Sequence, residues 1–425
     1  MVGQRYRVLN RISLLCIGLV GLAGLRLLAL GLMDQWLRYN DWLAAGLGFK
    51  DRACAISFCD YSVFWAAGRL ARDGATTAIY DRDQFFHALG QVVSLHTTSL
   101  PFQYPPITLI PVALITMTGL AAGYYLYFAV SLGLTVLLLW RAGLGWRFIL
   151  IGLISVPETW NLYLGQFGGV CSALLIYGLM MAGRRPLAGG VALGFLAIKP
   201  QYALLVPVVV LASRNVKALL AGGVVLCVLV ATSVIWFGWS SWLNFLGPGR
   251  ATMRDMLQQP FGPGYETLGI SVFWMARSFG ASVAVSYVVQ AVVAAAAVLG
   301  TWRLWRVPAA DPMGRVAVTV FLTLLASPYG YTDDLVAYSI ALPMLCRWDK
   351  PLANVVLTCL WLAPAYAQDF TVKFGFLPMP FCIAAAAVIG WRQVFGGDVV
   401  RVNFEADWIA SLRRLPRFAR RRSSL

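Results

Sequence analysis

The stretch Val216-Lys217-Ala218-Leu219-Leu220-Ala221-Gly222-Gly223-Val224-Val225-Leu226-Cys227-Val228-Leu229-Val230-Ala231-Thr232-Ser233-Val234-Ile235-Trp236-Phe237 carries one charge, Lys217, at its start. A helix needs about 20 apolar residues to cross the hydrocarbon core of a bilayer, and this run supplies them without a break. It shows no alternation of apolar and polar residues, so a barrel strand is excluded. Similar runs recur from Ile12 to Gly390 with short polar breaks. The expected fold class is therefore an all-α integral membrane protein, a multi-span helical bundle. Composition agrees: 60% of the 425 residues are hydrophobic and 12% charged, where soluble domains carry about a quarter charged residues.

Working outward in both directions gives spans near 12–33, 104–120, 123–140, 147–163, 167–183, 187–212, 216–237, 281–302, 315–328, 334–347, 352–368 and 377–391. These make about twelve transmembrane helices, with both termini cytoplasmic under the positive-inside rule. Residues 1–11, with Arg5, Arg7 and Arg11, form a short cytoplasmic N-terminus. The first apolar run has no small-residue cleavage site and reads as a retained span rather than a signal peptide. Residues 12–391 form the membrane domain and 392–425 a basic cytoplasmic tail. Two loops break the rule, since Arg141/Arg147 and Arg184/Arg185 would fall outside. A re-entrant break at Lys199-Pro200 would repair the second, because proline removes a backbone donor and interrupts a helix.

The excess of 34 Lys+Arg over 18 Asp+Glu lies largely in short loops and in the tail cluster Arg413, Arg414, Arg417, Arg420, Arg421 and Arg422. Such a run beside an apolar span suits anionic lipid headgroups rather than nucleic acid. Of the eight cysteines, Cys16, Cys171, Cys227, Cys359 and Cys382 sit in apolar spans as small hydrophobes. Cys54 and Cys59 share an external loop, which leaves a disulfide between them open. Soluble catalytic motifs are absent: no His-Glu-x-x-His, no phosphate-binding loop and no Gly-x-Ser-x-Gly elbow. The two histidines cannot build a His-rich metal site; no cofactor and no metal ligand is expected, and dependence on a divalent metal stays open, a single loop carboxylate offering no obvious site for one.

Two external loops, about 34–103 and 238–280, are too long for mere connectors and too aromatic for disorder. The first contains Phe58-Cys59-Asp60-Tyr61-Ser62-Val63-Phe64-Trp65-Ala66-Ala67-Gly68. Asp60 stands just before Tyr61–Arg72, whose Val63, Phe64, Ala67, Leu70 and Ala71 follow helical spacing up to Asp73-Gly74. Asp60 is then the N-cap of an interfacial helix anchored by Tyr61, Phe64 and Trp65, or a functional carboxylate. Other polar groups interrupt the apolar spans at Gly165-Gln166, Lys199-Pro200-Gln201, and Ser327-Pro328-Tyr329 through Asp333-Asp334. An ionisable group at membrane depth costs about 3 kcal/mol on insertion scales and is a functional candidate by default. Lys199 either snorkels or pairs with a carboxylate, or it binds phosphate. Asp333 and Asp334 either cap the next helix or bind substrate.

In order along the chain, Asp60–Ala67, Ala78-Ile79-Tyr80-Asp81, Tyr104-Pro105-Pro106, Gly165-Gln166, Lys199-Pro200-Gln201 and Ser327-Pro328-Tyr329 resemble glycosyltransferase family 87. Its members include enzymes similar to the polyprenyl-phosphate-mannose-dependent α-mannosyltransferase of the mycobacteria. The resemblance spans roughly residues 10–390. It implies a GT-C bundle in a bacterial inner membrane, with the active site facing the periplasm. It also implies a polyprenyl-phosphate sugar as donor, a glycolipid or glycan as acceptor, and an aspartate base in the first external loop, a role that falls on Asp60. Many members carry Ser-Pro-x-x-Trp-x-His-His before a late span. Here the run is Ser327-Pro328-Tyr329-Gly330-Tyr331-Thr332-Asp333-Asp334, with acids in place of histidines, which leaves sugar and acceptor open.

The chemistry implied is inverting transfer of a hexose or pentose, with Asp60 deprotonating the acceptor hydroxyl. Lys199, Arg250 and Arg254 are candidates to hold the departing phosphate. Gln166 and Gln201 are candidates for sugar hydroxyls, and Tyr104, Trp239 and Trp242 for stacking on a sugar face. Glu266, Tyr329, Asp333 and Asp334 complete the candidate substrate-binding set. A transporter or flippase of lipid-linked sugars is the alternative, using Lys199 and Asp333/Asp334 as coupling charges. An enzyme should place Asp60 in a cavity facing the 238–280 loop, whereas a simple cap would point to bulk solvent.

Overall fold

Apolar segments that cannot hydrogen-bond to water must satisfy their backbones internally, and the described residues do so almost wholly as helices. The computed structural model describes residues 10, 12–30, 33, 59–92, 100–262, 264–307, 310–347 and 349–396. The Arg-rich tail, the N-terminal segment expected to be cytoplasmic (apart from Asn10), and the Cys54–Cys59 pairing lie outside the described residues.

After α1 (Ile12–Leu30), the first long loop folds as α2 (Cys59–Arg72), α3 (Thr76–Tyr80) and α4 (Arg82–Val92). Next come α5 (Leu109–Ile115), α6 (Leu120–Arg141), α7 (Trp146–Leu153), α8 (Val156–Leu164) and α9 (Gly168–Ala182). α10 (Pro186–Phe195), α11 (Val206–Ala212) and α12 (Val216–Phe237) lead to the second long loop, which holds α13 (Trp239–Asn244), α14 (Arg250–Gln258) and α15 (Val272–Ser278). The chain closes with α16 (Val283–Trp305), α17 (Pro312–Ala326), α18 (Leu335–Ala341), α19 (Pro351–Leu362), α20 (Ala367–Phe374) and α21 (Met379–Phe395). Among the described residues four helices, α1, α6, α12 and α16, are long and apolar enough to cross a membrane. A fifth span results if Pro351–Ala365 and Ala367–Phe374, bent by 69°, count as one. The remaining expected spans are built from shorter or broken helices, so about twelve crossings are not reached by helix length alone.

The breaks have local causes. Between α7 and α8, Ser155 accepts from the Glu158 amide at 3.3 Å and starts a new helix, followed at once by Pro157. α8 stops at Gly165, whose φ of 76° lies in the left-handed region that glycine tolerates best. Between α10 and α11, Pro200 forces Lys199 out of helical geometry, to φ −130° and ψ 80°.

Two expected spans behave differently, and together they explain the misplaced arginines. The stretch 104–120 is helical only over Pro106–Ile115, and it stays against α2. Arg72 Nη1 donates to the Thr116 carbonyl at 2.8 Å and Trp65 Nε1 to the Thr118 carbonyl at 3.3 Å. The stretch 187–212 is a hairpin rather than one span. α10 packs antiparallel to α9, with Gly189 against Ala182, and runs alongside α12, with Gly190 against Ala218 and Gly194 against Gly222. Only glycine allows backbones this close. α11 then returns to Ser213, where Asn215 Nδ2 donates to the Ala182 carbonyl at 2.5 Å. Arg184 in turn lies beside Gly143. The loops carrying Arg141, Arg184/Arg185 and Arg214/Lys217 therefore share one basic end of the bundle. This corrects the placement of the first two on the face opposite Arg214 and Lys217, which assumed that every apolar stretch crosses once.

The opposite end gathers the α8–α9 turn, the Lys199-Pro200 hairpin tip and the α17–α18 turn beneath the long loops. α2 docks there through Tyr61, Phe64 and Gly68, one face of a helix at i, i+3 and i+7. Tyr61 and Phe64 are buried, and Gly68 abuts Val112. The expectation that Tyr61 and Phe64 anchor α2 in the membrane interface is thus corrected. They are core residues, with Phe64 packed on Phe167 at 4.8 Å and Tyr104 at 5.1 Å.

Candidate active site

A cavity of about 930 Å³ opens at this end, and Asp60 lines it. Asp60 comes from the first turn of α2, Tyr104 from the turn before α5, and Gln166 from the α8–α9 turn. Lys199 and Gln201 stand at the α10–α11 hairpin tip, and Tyr329, Asp333 and Asp334 in the α17–α18 turn. Arg250 and Arg254, one turn apart on α14, face the same space from the second long loop. Asp60 therefore faces a cavity roofed by the 238–280 loop, not bulk solvent.

The half-buried Asp60 carboxylate takes a hydrogen bond from Gln166 Nε2 to Oδ2 at 2.7 Å. Gln166 Oε1 accepts in turn from the Tyr104 hydroxyl at 3.0 Å. Its backbone is held as well: the amide donates to the Asn161 carbonyl at 2.9 Å, and the carbonyl accepts from the Tyr127 hydroxyl. Desolvation pushes the Asp60 carboxyl up to about 6, with the Asp333 charge adding to it and the Gln166 hydrogen bond and Lys199 opposing. A carboxylate with that value is mostly ionised at neutral pH yet basic enough to take a proton.

Lys199 is 2% exposed and fully engaged. Its Nζ lies 2.5 Å from Asp333 Oδ2 and 2.6 Å from Asp334 Oδ1, and 5.7 Å from the Tyr202 ring centroid. Of the readings left open for Lys199, pairing with carboxylates is the one observed. Asp334 also accepts from the Tyr331 amide at 3.2 Å, so it both shapes the turn and pairs the lysine. One cation between two carboxylates leaves this corner net negative. Among the described residues, no group of three or more His, Cys, Asp or Glu converges to hold a metal.

Three sequence candidates are not in the lining. Glu266 follows Tyr265 on a short 3-10 turn and lies back over Gly264, while Tyr265 takes the cavity position. Trp242 donates from Nε1 to Ser233 Oγ at 3.0 Å, and Trp239 is exposed away from the cavity. Besides Tyr104 and Tyr329, the aromatics lining it are Phe64, Phe245, Tyr265, Tyr287 and Tyr331, which no local sequence signal assigns to substrate. Tyr265 and Tyr331 pack at 4.6 Å, and the Ile270 amide donates to the Gly330 carbonyl at 2.9 Å. The second long loop is stitched to the α17–α18 turn by these contacts. No local signal marks such a pair; only the recurrence of Tyr-Gly and Gly-Tyr in two turns hints at it.

With this geometry in view, the family model for glycosyltransferase family 87 matches residues 102–328, more than half of the chain, and the chain belongs to that family. The protein is accordingly a membrane-embedded glycosyltransferase. Searches of curated proteins and of solved structures give no match. The matched region holds Tyr104, Gln166, Lys199, Gln201, Arg250 and Arg254, while Asp60 and Asp333/Asp334 join it from either side through the fold.

Proposed function

We propose that the protein transfers a sugar, a hexose or pentose such as mannose, from a polyprenyl-phosphate donor to an extracytoplasmic glycolipid or glycan, with inversion. The observation that carries this is the Asp60 carboxylate, braced by Gln166, sharing one cavity with the guanidinium groups of Arg250 and Arg254. Asp60 takes the proton of the acceptor hydroxyl as that oxygen attacks the anomeric carbon opposite the phosphate. The bond from that carbon to the phosphate oxygen breaks with its electron pair, releasing polyprenyl phosphate. Arg250 and Arg254 hold the departing dianion. Because Lys199 is committed to Asp333 and Asp334, this corner organises acceptors for sugar hydroxyls, with Gln201 and Tyr329 alongside. The exposed Leu204 and Leu246, with Phe245, give the cavity an apolar flank suited to the first isoprene units.

A phosphate leaving group needs little protonation, so the step requires one carboxylate and no cofactor. The clustering of arginines at one end of the bundle supports a cytoplasmic basic end, with the site facing the periplasm of a bacterial inner membrane. The basic tail would then meet anionic lipids. Family membership sets the transporter reading aside. The test is transfer from a radiolabelled polyprenyl-phosphate hexose to a glycolipid acceptor in proteoliposomes. Asp60→Asn should lower the rate at least about 100-fold, the scale of general base catalysis, with unchanged yield and elution. Wild-type rates in that variant would overturn the role of Asp60.

A further inference from the structure

A carboxylate on a short side chain has two equivalent oxygens and a freely turning χ2, so a general base needs something to choose which oxygen faces the substrate. Gln166 is built to make that choice. Its backbone amide and carbonyl are tied to Asn161 and Tyr127. Its start from Gly165 fixes where the chain leaves α8, and a Cβ on Gly165 would meet the Tyr61 side chain. The amide cannot flip without loss. Tyr104 donates its hydroxyl proton to Oε1 at 3.0 Å, which leaves Nε2 as the atom facing Asp60 Oδ2 at 2.7 Å. Tyr104 is located by the Tyr80 hydroxyl, which donates to its carbonyl at 3.0 Å, and by ring contacts with Phe64 and Phe102.

We infer that Gln166, backed by Tyr104, is a positioning residue for Asp60. It occupies Oδ2, so that Oδ1 is the oxygen that receives the acceptor's proton. This replaces the reading of Gln166 as a ligand of sugar hydroxyls, and it rests on Asp60 being the base. The charged and titratable groups around Asp60 are Asp333 and Lys199 from the facing turns, with Tyr104 and Tyr265 at its sides. Of these neighbours and Gln166, it is Gln166 that donates to the carboxylate. The same hydrogen bond favours the ionised carboxylate, so its loss has a signature that simple misfolding would not produce.

The experiment is steady-state kinetics from pH 5 to 9 in proteoliposomes with a polyprenyl-phosphate hexose. It compares wild type, Gln166→Met, Tyr104→Phe and Asp60→Asn. Gln166→Met keeps the side-chain length and removes the donor. It should lower kcat about 100-fold, leave both KM values within about twofold, and move the acid limb of the profile up by about one unit. Tyr104→Phe removes a single oxygen and should shift both quantities the same way by less. Should Gln166→Met not fold, Tyr104→Phe carries the test alone. A raised donor KM with an unmoved acid limb would make Gln166 a sugar ligand and overturn the inference, as would an unchanged profile in both variants. Asp60→Asn separates the two levels: if it keeps full activity, the base assignment itself fails. If it is inactive while the other two behave as wild type, only the positioning role fails.

Discussion

Asp60→Asn should stabilise the protein at neutral pH while abolishing transfer, and the size of the gain follows from the site. Burial raises the Asp60 carboxyl from 3.8 to about 6. At about 1.36 kcal/mol per unit, holding the ionised form in the fold costs about 3 kcal/mol. Water in the cavity screens part of that, which leaves about 1.5–3 kcal/mol. The sign follows from the direction of the shift. A carboxyl raised in the folded state contributes fully when protonated, below about 3.8, and loses that contribution as pH climbs through about 6. Asparagine mimics the neutral acid and still accepts from Gln166 through its carbonyl oxygen. The variant should therefore melt several degrees above wild type at pH 7.5, and the gap should close toward pH 4. Paired melting curves in one detergent across that range test it. A variant that melts lower at pH 7.5, or a gap that widens on acidification, would refute the desolvation argument.

Lys199→Met leaves Asp333 and Asp334 buried without their cation and should destabilise by about 3–5 kcal/mol. Adding Asp334→Asn should recover part of that in melting temperature. Arg250→Gln with Arg254→Gln removes two cavity-facing guanidinium groups while sparing the core, since both are exposed. It should raise the donor KM or lower kcat by about tenfold or more, with an unchanged melting point. Gly165→Ala meets both a φ of 76° and the Tyr61 side chain, and should cost about 1–2 kcal/mol together with a loss of transfer, read by melting and by activity.

The legible parts of this fold are those that lipid alone decides. Val216–Phe237 appears in the structure with the same bounds that hydropathy suggests, because a lipid-facing helix needs only an unbroken apolar run. Residues 104–120 and 187–212 are also predominantly apolar, but hydropathy carries no direction. Whether such a segment crosses, lies flat or turns back depends on Pro105-Pro106, Gly119 and Lys199-Pro200 and on what packs beside them. The cavity was partly legible for a related reason. A polar group in an apolar chain is conspicuous, so Asp60, Gln166, Lys199, Asp333 and Asp334 stand out on cost alone. Their pairings do not, since Lys199 meets acids 134 and more residues away. The same bias toward charge favoured Glu266 over its neighbour Tyr265, although the aromatic ring is the one in the cavity.

The span of sequence between Lys199 and its counter-ions has a consequence for how the protein is made. The α10–α11 hairpin emerges from the ribosome well before the α17–α18 turn, 134 residues separating Lys199 from Asp333. At about 5–20 residues per second, that delay is roughly 7–27 s. During it the membrane holds a hairpin with an unneutralised ammonium at its tip. The late helices thus do more than complete the bundle: their arrival discharges a standing electrostatic debt. A chain that ends before Asp333 keeps the Lys199 ammonium without either of the carboxylates that neutralise it in the complete fold.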